Sequence, residues 1–455
     1  MKLNVAPAPT PLVTHEGGRA ERQTPAIELE RAVATCLLWE NTFYEKGSDI
    51  AARISALVRK VTFAEASAVA IRARDEWKLR HVPLFLVAEM AAKRAENSGP
   101  ITGIGIIADT LAHVIQRPDE MSEFLAIYWR DGKRPLSKQV KLGLARAMNK
   151  FTPYQLSKWA TDREVGRKIK IRDALFLSHA KAKNPEQDAL WKQLIEKTLE
   201  PADTWEVALS GVKETAEKRA AWERLIREQK LGVMALLMNL RNMVQAGVDL
   251  GLVGTVLRRQ APGSKALPFR FLTASRHAPA LAGDLSDAML LALDGEAKLP
   301  GMTYVVIDVS GSMDHPLSAK GETTRIDAAA GLGILVREVC ERARIFTFSD
   351  QLVEVPAHRG IPLRDAIVAS QAHHGTYLAA ALRALPPGPY RVIVVTDEQS
   401  QDGIIAVEGG RGYLINVAPY KPGLDTLHGW NRINGFSERV LDWIRLDEAF
   451  APIAG

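Results

Sequence analysis

The spacing of apolar residues changes at Pro300-Gly301, and this change constrains the fold more than any other feature of the sequence. From about residue 25 to 295, apolar residues recur at helical spacings of three and four, with no alternating strand pattern. After residue 300, short apolar runs alternate with helical segments, which is typical of a doubly wound parallel sheet. The 455 residues therefore predict a helical region followed by an α/β region, in two or three domains.

The helical region consists of candidate helices that follow one another with short connectors. Two clear examples are 119–128 and 234–243. In the second, an apolar stripe continues beyond the segment, and it contains Met234, Leu237, Leu240, Val244 and Val248. Successive helices without strands favour an α-solenoid or an irregular bundle.

The α/β region is predicted to contain four strands and the helices between them. The strands are 302–308, 343–348, 391–396 and 412–417, and the helices are 325–342, 361–371, 377–385 and a last one at about 438–446.

Oxygen-bearing side chains follow two of these strands. Asp308, Ser310 and Ser312 follow the first strand as D-x-S-x-S, Thr376 follows a His-Gly pair, and Asp397 ends the third strand. Ligand sites of open α/β sheets lie at the carboxyl ends of strands, and Mg²⁺ prefers oxygen ligands while retaining several waters. The set resembles the metal-ion-dependent adhesion site of von Willebrand factor A domains. We therefore expect a divalent cation, Mg²⁺ in the first instance, bound directly or through water.

Other interpretations of these residues are available. Any single Asp or Ser here also suits a helix cap or a turn. No nucleophile with its base stands near the motif, so binding is favoured over catalysis. A metal-dependent nuclease would need paired acidic ligands and a general base, which two aspartates among hydroxyls do not supply. His373 and His374 are interpreted as loop residues, because no cysteine or third histidine stands at zinc spacing.

Composition places the chain among soluble cytoplasmic proteins. It is 47% hydrophobic and 25% charged, and it contains no apolar run long enough to span a membrane. Residues 1–24 are rich in proline and polar residues, without the apolar core of a signal peptide, so we expect a flexible tail. Cys36 and Cys340 stand in apolar, helix-like runs, which predicts buried free thiols in a reducing compartment.

Positive charge is concentrated between residues 130 and 183. This segment has 15 Lys and Arg against 4 Asp and Glu, a balance of +11, whereas the whole chain carries only +6. Local basic surface is typical of a polyanion partner, and planar rings such as Trp159 stack on unpaired bases. A solvated helix face is the alternative, but the rest of the chain is net acidic, which favours RNA. The candidate RNA-binding residues are Lys138, Lys150, Lys158, Arg163, Arg167, Lys168, Lys170, Arg172, His179 and Lys181.

Blocks of the helical region resemble the TROVE module. They are 151–159 (FTPYQLSKW), 172–181 (RDALFLSHAK), 204–206 (TWE), 235–243 (ALLMNLRNM) and 268–271 (PFRF). A TROVE module followed by a von Willebrand factor A domain is similar to the Ro family, which includes a 60 kDa autoantigen and bacterial relatives. The resemblance covers about residues 25 to 445.

The resemblance implies an architecture and a function. It implies a flexible tail at 1–24, a TROVE domain of HEAT-like helical repeats at 25–299, and a von Willebrand A domain at 300–455 that closes the solenoid into a monomeric ring. It further implies a non-enzymatic RNA-binding scaffold for RNA quality control. Y RNA would lie on the outer basic surface, single-stranded ends of misfolded noncoding RNA would enter the central cavity, and polynucleotide phosphorylase or another exoribonuclease would be a partner.

The resemblance also assigns residues, with departures. Lys158 and His179 match family positions for Y RNA, and Arg163 matches less closely because its spacing differs. The family's His-Pro-Lys-Pro or His-Leu-Lys-Pro block reads His-Ala-Lys-Ala here at 179–182, and Glu398 follows Asp397 where relatives often carry Asn. The alternative function is a protein–protein adaptor that acts through the metal of its A domain.

Overall fold

The computed structural model describes most of the chain. The described residues are 24–34, 47–96, 105–160, 166–264, 266–316, 324–398, 400–407, 410–417, 430–434 and 439–450. The predicted tail up to residue 23, Cys36 and the candidate Arg163 lie outside them.

The first part of the chain is helical. Its helices are α1 Pro25–Ala34, α2 Gly47–Lys60, α3 Phe63–Asp75, α4 His81–Glu96, α5 Ile106–Val114, α6 Asp119–Tyr128, α7 Lys138–Met148, α8 Pro153–Trp159, α9 Ile171–Ser178, α10 Pro185–Glu196, α11 Trp205–Ala208, α12 Thr215–Arg227, α13 Val233–Gln245, α14 Leu250–Gln260, α15 Pro268–His277 and α16 Ala282–Leu293. Helix α7 shows how such a segment is specified: the Ser137 hydroxyl accepts a hydrogen bond from Val140 N and caps the helix. Its apolar face, which includes Leu144 and Met148, is fully buried.

The apolar stripe predicted for α13 is partly wrong. Leu237, Leu240 and Val248 are buried, but Met234 and Val244 are exposed. Val233, Leu236 and Met243 are buried as well, so the buried face is rotated relative to the predicted one. Methionine and leucine stand on both sides of this helix, and apolar spacing alone therefore did not identify its buried side.

The second part is an α/β sheet with helices. Its strands are β1 Leu299–Asp308, β2 Cys340–Phe348, β3 Leu352–Glu354, β4 Arg391–Thr396, β5 Arg411–Asn416 and β6 Trp430–Asn434, and its helices are α17 Arg325–Val339, α18 Gly360–Val368, α19 Leu378–Arg383 and α20 Val440–Phe450. The strand order is β3-β2-β1-β4-β5-β6, parallel except for β3. The predicted doubly wound sheet is confirmed. The short strands β3 and β6 were not predicted, and α17 ends before residue 342 because β2 begins at Cys340, which is a buried free thiol.

The hydrophobic core divides inside the helical part. One cluster of buried residues runs from Leu29 in α1 to Leu194 in α10. A second runs from Trp222 in α12 through α13 to α16 and continues into the sheet as far as Ile444 in α20. The helices from α12 onward therefore share a core with the α/β part rather than with the first ten helices.

Polar contacts also join α15 and α16 to the α/β part. Arg276 of α15 forms an ion pair with Asp327 at the start of α17. The Ser286 hydroxyl of α16 accepts a hydrogen bond from Ile361 N at 3.1 Å. Next to it, Gly360 has φ +63°, and a β-carbon at this position would lie 2.2 Å from the Ser286 hydroxyl, so the close approach requires glycine.

The two ends of the described chain meet. Helix α20 packs on α1, where Arg31 lies 3.6 Å from Asp447. Trp443 contacts both core clusters. On its other side, α20 is bound to the sheet by Glu448, which accepts two hydrogen bonds from the fully buried Arg391 of β4. The α/β part therefore contacts the helical part at α15 and α16 and again at α1. Within the described residues, no helix is both long and apolar enough to cross a membrane.

Candidate functional site

Asp308 and Asp397 lie at the carboxyl ends of adjacent parallel strands. Strand β1 pairs with β4 up to Ile307 and Val395, so both aspartates emerge at the same edge of the sheet. Both side chains are buried. Asp308 accepts hydrogen bonds from Ser310 N at 2.9 Å and from the Thr396 hydroxyl at 2.6 Å. Burial nevertheless raises the pKa of Asp308 to about 6, because desolvation opposes the charged form more than these donors favour it.

The serines of the D-x-S-x-S motif stand beside Asp308 on a short 3₁₀ turn. The Ser310 hydroxyl lies 3.2 Å from the Ser312 hydroxyl, and Ser310 is buried while Ser312 is half-buried. The loop that leads to Thr376 lies against this turn, since the His373 carbonyl oxygen would be 3.4 Å from a β-carbon at Gly311. The turn that carries the two serines therefore packs against the loop that leads to Thr376.

Ser349, at the end of β2, fixes the loop that carries Thr376. Its hydroxyl donates to the Gly375 carbonyl at 2.8 Å and accepts from His374 N at 3.0 Å. Its carbonyl accepts from Tyr377 N at 3.1 Å. Thr376 itself is buried. Ser349 is not among the residues predicted from sequence, although a serine directly after a predicted strand is a recognisable signal.

A second residue missed from the sequence is Arg325, the first residue of α17. One of its guanidinium nitrogens donates to the Asp397 carboxylate at 2.9 Å and to the Ser312 carbonyl at 3.1 Å. The side chains of Arg325 and Asp397 are only 4% and 0% exposed. A buried positive charge of the chain itself therefore lies at the edge where the metal was predicted.

Glu398 follows Asp397 in an unusual backbone conformation. Its φ is +61°, in the left-handed region that non-glycine residues rarely adopt. The buried carboxylate of Glu398 forms an ion pair with Arg432 of β6 at 3.2 Å. Glu398 thus binds β6 to the edge of the sheet next to Asp397.

The donor set fits a hard cation. Two carboxylates and three hydroxyls at one sheet edge offer the neutral and charged oxygens that Mg²⁺ prefers, with few carboxylates in direct contact. The described residues contain no group of three or more His, Cys, Asp and Glu side chains suited to a metal, so a softer metal has no ligand set among them. His373 hydrogen-bonds Asp314 at 3.3 Å and the Val368 carbonyl at 3.1 Å, which agrees with its interpretation as a loop residue.

The predicted RNA-binding residues lie on α7, α8 and α9 and on the loops around them. Lys138, Lys150, Lys168, His179 and Lys181 are exposed. Lys158, Arg167, Lys170 and Arg172 are half-buried.

Contacts bring part of this set together. Helix α7 packs on α9, and the Lys141 ammonium lies 3.4 Å from His179 Nε2. Asn149 at the end of α7 donates to the Lys181 carbonyl at 3.2 Å, which holds the loop after α9 against α7. We call Lys141, Phe176, His179, Lys181 and Lys183 the α7–α9 surface. Lys141 is not among the residues predicted from sequence, although it stands one turn from Lys138 on α7. His179 also ends α9 in a left-handed conformation with φ +53°.

The other candidates are engaged to different degrees. Arg167 lies 4.0 Å from Glu123, Arg172 lies 4.0 Å from Asp173, and Lys150 donates to the Ala112 carbonyl. Among the described carboxylates, none forms an ion pair with a lysine of the α7–α9 surface, with Lys138 or with Lys168. The charge available to a polyanion is therefore greatest at these lysines.

The aromatic residue chosen from sequence is not the accessible one. Trp159 is half-buried, and the Arg117 guanidinium covers its ring at 3.9 Å from the centroid. By contrast, Phe176 on α9 is 55% exposed, and Tyr154 on α8 is 51% exposed with the Lys158 ammonium 5.9 Å from its ring centroid. Phe176 stands one helical turn before His179. Exposed rings beside lysines are what a stacking surface for unpaired bases requires.

Comparisons with known proteins agree with this architecture. The TROVE domain family model matches residues 196–290, which span α11 to most of α16. This match contains the predicted blocks at 204–206, 235–243 and 268–271, whereas the correspondence of 151–159 and 172–181 stays a prediction. No curated protein sequence matches the chain significantly.

Among solved structures, the Ro (RSR) protein of Deinococcus radiodurans is similar over 92% of this chain and 99% of that one, with a TM-score of 0.68 and 16% sequence identity. An aerotolerance-related membrane protein from Bacteroides fragilis matches 26% of this chain and 67% of that one at 16% identity, and its TM-score of 0.21 is too low to support a shared fold. The helical segment that shares its core with the α/β sheet thus coincides with the family match, and almost the whole chain follows the Ro fold. Residues 196–290 therefore match the TROVE domain family, and the chain has the fold of the Ro (RSR) protein.

Proposed function

We propose that this protein is an RNA-binding scaffold without enzymatic activity, and that the α7–α9 surface is a principal contact for RNA. The observation that carries the proposal is the combination on this surface of lysines without carboxylate partners among the described residues and an exposed phenylalanine. Phosphates are gripped by such cations, and each phosphate contact releases counterions. The resulting affinity falls steeply with salt and depends weakly on sequence.

RNA rather than double-stranded DNA is favoured by the exposed rings. Phe176 and Tyr154 present their faces to solvent on separate helices, each near a basic residue. Unpaired bases of loops and ends stack on such rings, whereas bases inside a duplex are not accessible to them. The ligand class we propose is therefore a structured RNA with accessible unpaired nucleotides.

The finer assignment follows the family resemblance. We propose Y-like RNA for the outer basic surface and single-stranded ends of misfolded noncoding RNA for a central cavity, in RNA quality control or degradation with polynucleotide phosphorylase or another exoribonuclease. A monomeric ring is supported by the contacts of the α/β part with α15 and α16 on one side and with α1 on the other. The domain limits 25–299 and 300–455 and a cytoplasmic location are part of the same proposal.

The metal site is proposed for a divalent cation, Mg²⁺ in the first instance. Ser310, Ser312 and Thr376 would offer hydroxyls, and Asp308 and Asp397 would supply charge directly or through water. When bound, the cation would present an electrophilic position to a carboxylate of a partner. Asp308 is held by Ser310 N and the Thr396 hydroxyl, so its role is to orient the turn as well as to balance charge.

UV crosslinking of the purified protein to the RNA it carries, with peptides and RNAs both sequenced, tests the RNA-binding proposal. We expect crosslinked peptides from 138–183, with Phe176 and Tyr154 among the crosslinked residues, joined to structured noncoding RNA. Crosslinks spread evenly over the chain, or a protein free of RNA, would contradict the proposal.

The second candidate function is a metal-dependent protein–protein adaptor. The buried carboxylate and hydroxyl of Asp308 and Ser310 at the sheet edge support it, because a metal site there can bind an acidic partner without RNA. In the crosslinking experiment this adaptor predicts no RNA, and a pull-down would recover a protein partner that leaves when the metal is chelated.

A further inference from the structure

We propose that Arg325 is a built-in cation of the metal site, which competes with the divalent metal for Asp397. The proposal rests on the proposed metal site and adds a control on its occupancy. Metal binding would require the Asp397 carboxylate to leave the Arg325 guanidinium and turn to the metal or to a water of the metal.

The Arg325 guanidinium lies among the predicted ligand residues. It contacts the Asp397 carboxylate at 2.9 Å and the carbonyl of Ser312 at 3.1 Å, and so lies between two of the five predicted ligand residues. Both partners of the ion pair are almost completely buried. In such surroundings charges interact more strongly than in water, so Arg325 and a metal cation would repel each other.

The charges of the predicted ligand residues do not balance both cations. Of the two carboxylates among the five residues, Asp308 accepts hydrogen bonds from Ser310 N and the Thr396 hydroxyl, whereas Asp397 is paired with the Arg325 guanidinium. One carboxylate does not neutralise a guanidinium and a divalent cation at once. A metal that needs Asp397 therefore binds only in proportion to the population in which the ion pair is open.

The helix that carries Arg325 restricts its movement away from Asp397. It is the first residue of α17, whose start is fixed by a capping box between Thr324 and Asp327. Asp327 in turn forms ion pairs with Arg276 of α15 and Arg364 of α18. Ion pairs with α15 and α18 thus fix the start of α17 and, with it, the position of Arg325. The Arg325 side chain therefore connects the packing of these helices to the occupancy of the metal site.

The test compares the wild-type protein with Arg325→Gln by titration with Mg²⁺ alone in a calorimeter. We expect the variant to bind Mg²⁺ about 10-fold more tightly, a coupling of the size usual between linked sites. In the absence of metal, we also expect the variant to have a lower thermal midpoint than the wild type. Addition of Mg²⁺ should raise the midpoint of the variant more than that of the wild type, because the metal replaces the missing charge beside Asp397. Arg325→Met, which retains the apolar stem, serves the same purpose if the glutamine variant does not fold.

Arg391→Gln is the matched control. Arg391 is equally buried and is also paired with a carboxylate, Glu448, but it lies at the opposite end of the sheet. This variant should lose stability without any change in Mg²⁺ affinity. If the wild type binds Mg²⁺ and the Arg325 variants bind it no more tightly, the proposed competition between Arg325 and the metal is wrong, but the proposed metal site is not contradicted. If neither the wild type nor the variants bind Mg²⁺, the proposed metal site fails together with the competition.

Discussion

The carboxyl edge of the sheet and the α7–α9 surface both consist of charged residues, but the charges are arranged in opposite ways. At the sheet edge, Arg325 and Asp397 are buried and paired with each other. On the α7–α9 surface, Lys141, Lys181 and Lys183 are in contact with solvent and form no ion pair with a described carboxylate. The first arrangement satisfies its charges inside the chain, whereas the second leaves them for a partner.

This difference predicts different consequences of mutation. Removal of one partner of a buried ion pair leaves an uncompensated charge in a medium that solvates it poorly, which destabilises the fold. Removal of an exposed lysine changes stability little but takes away an attraction for phosphate. The variants below test whether the two regions differ in this way.

The largest effect is expected for Asp397→Ala. This change leaves the Arg325 guanidinium buried without its carboxylate, and loss of one partner of such a pair costs about 3–5 kcal/mol of unfolding free energy. Urea denaturation measures the loss. Asp314→Ala is the control, because Asp314 is in the same loop region but 56% exposed, and it should cost less than about 0.5 kcal/mol. A loss below about 1 kcal/mol for Asp397→Ala would show that the sheet edge is not held by its internal charges.

The next effect is on RNA affinity, in a variant with Lys141, Lys181 and Lys183 all changed to glutamine. At about 0.7 kcal/mol for each lysine, we expect about a 30-fold loss of affinity and a decrease of the salt slope by about 3. Filter binding at several salt concentrations measures both quantities. A variant with the exposed Lys60, Lys192 and Lys213 changed to glutamine has the same net charge and should retain its affinity. Equal losses in the two variants would mean that net charge rather than this surface binds RNA.

The two regions also differ in how well the sequence predicted them. The candidate metal site was predicted because apolar strands lead to Asp308 and Asp397, and parallel strands bring their carboxyl ends to one edge. Arg325 was missed because its partner Asp397 is 72 residues away, and an arginine at the start of a helix has no pattern of its own. On the α7–α9 surface the charge count selected a segment with exposed lysines, but it did not show that Arg117, outside the segment, covers the ring of Trp159.

The fold shows the same limits. The strong apolar periodicities of β1, β2, β4 and β5 were sufficient to predict the parallel sheet, whereas β3, with three residues, and β6, which reads Trp-Asn-Arg-Ile-Asn, contain too few apolar residues to be recognised. The pattern change at residue 300 marks the start of the sheet but not the division of the core, which lies between α10 and α12. Tertiary packing decides which helices share a core, and the spacing of apolar residues along the sequence contains no information on that packing.

A smaller effect is expected for Phe176→Leu. Leucine keeps an apolar side chain on α9 but removes the ring, and stacking of one base on an aromatic ring contributes about 1–3 kcal/mol. We expect about a tenfold loss of affinity for RNA with unpaired nucleotides, little loss for a blunt duplex, and unchanged thermal stability because the ring is exposed. Phe176→Tyr keeps the ring and should bind as the wild type does. If leucine and tyrosine variants bind alike, the ring does not stack on RNA.

The smallest effect, and the one that decides whether the two regions are independent, is expected for Asp308→Asn. Asparagine has the size of aspartate but removes the carboxylate from the metal site, so Mg²⁺ binding should weaken. The α7–α9 surface shares no described contact with Asp308, and distant sites without shared partners act additively, so RNA affinity should stay within about twofold. Filter binding of the folded variant, and of the wild type with and without a chelator, checks this. A clear loss of RNA affinity in both cases would show that metal binding affects the α7–α9 surface through the helices that join the two regions. The sheet edge, whose charges are paired within the chain, and the RNA-binding surface would then not be independent.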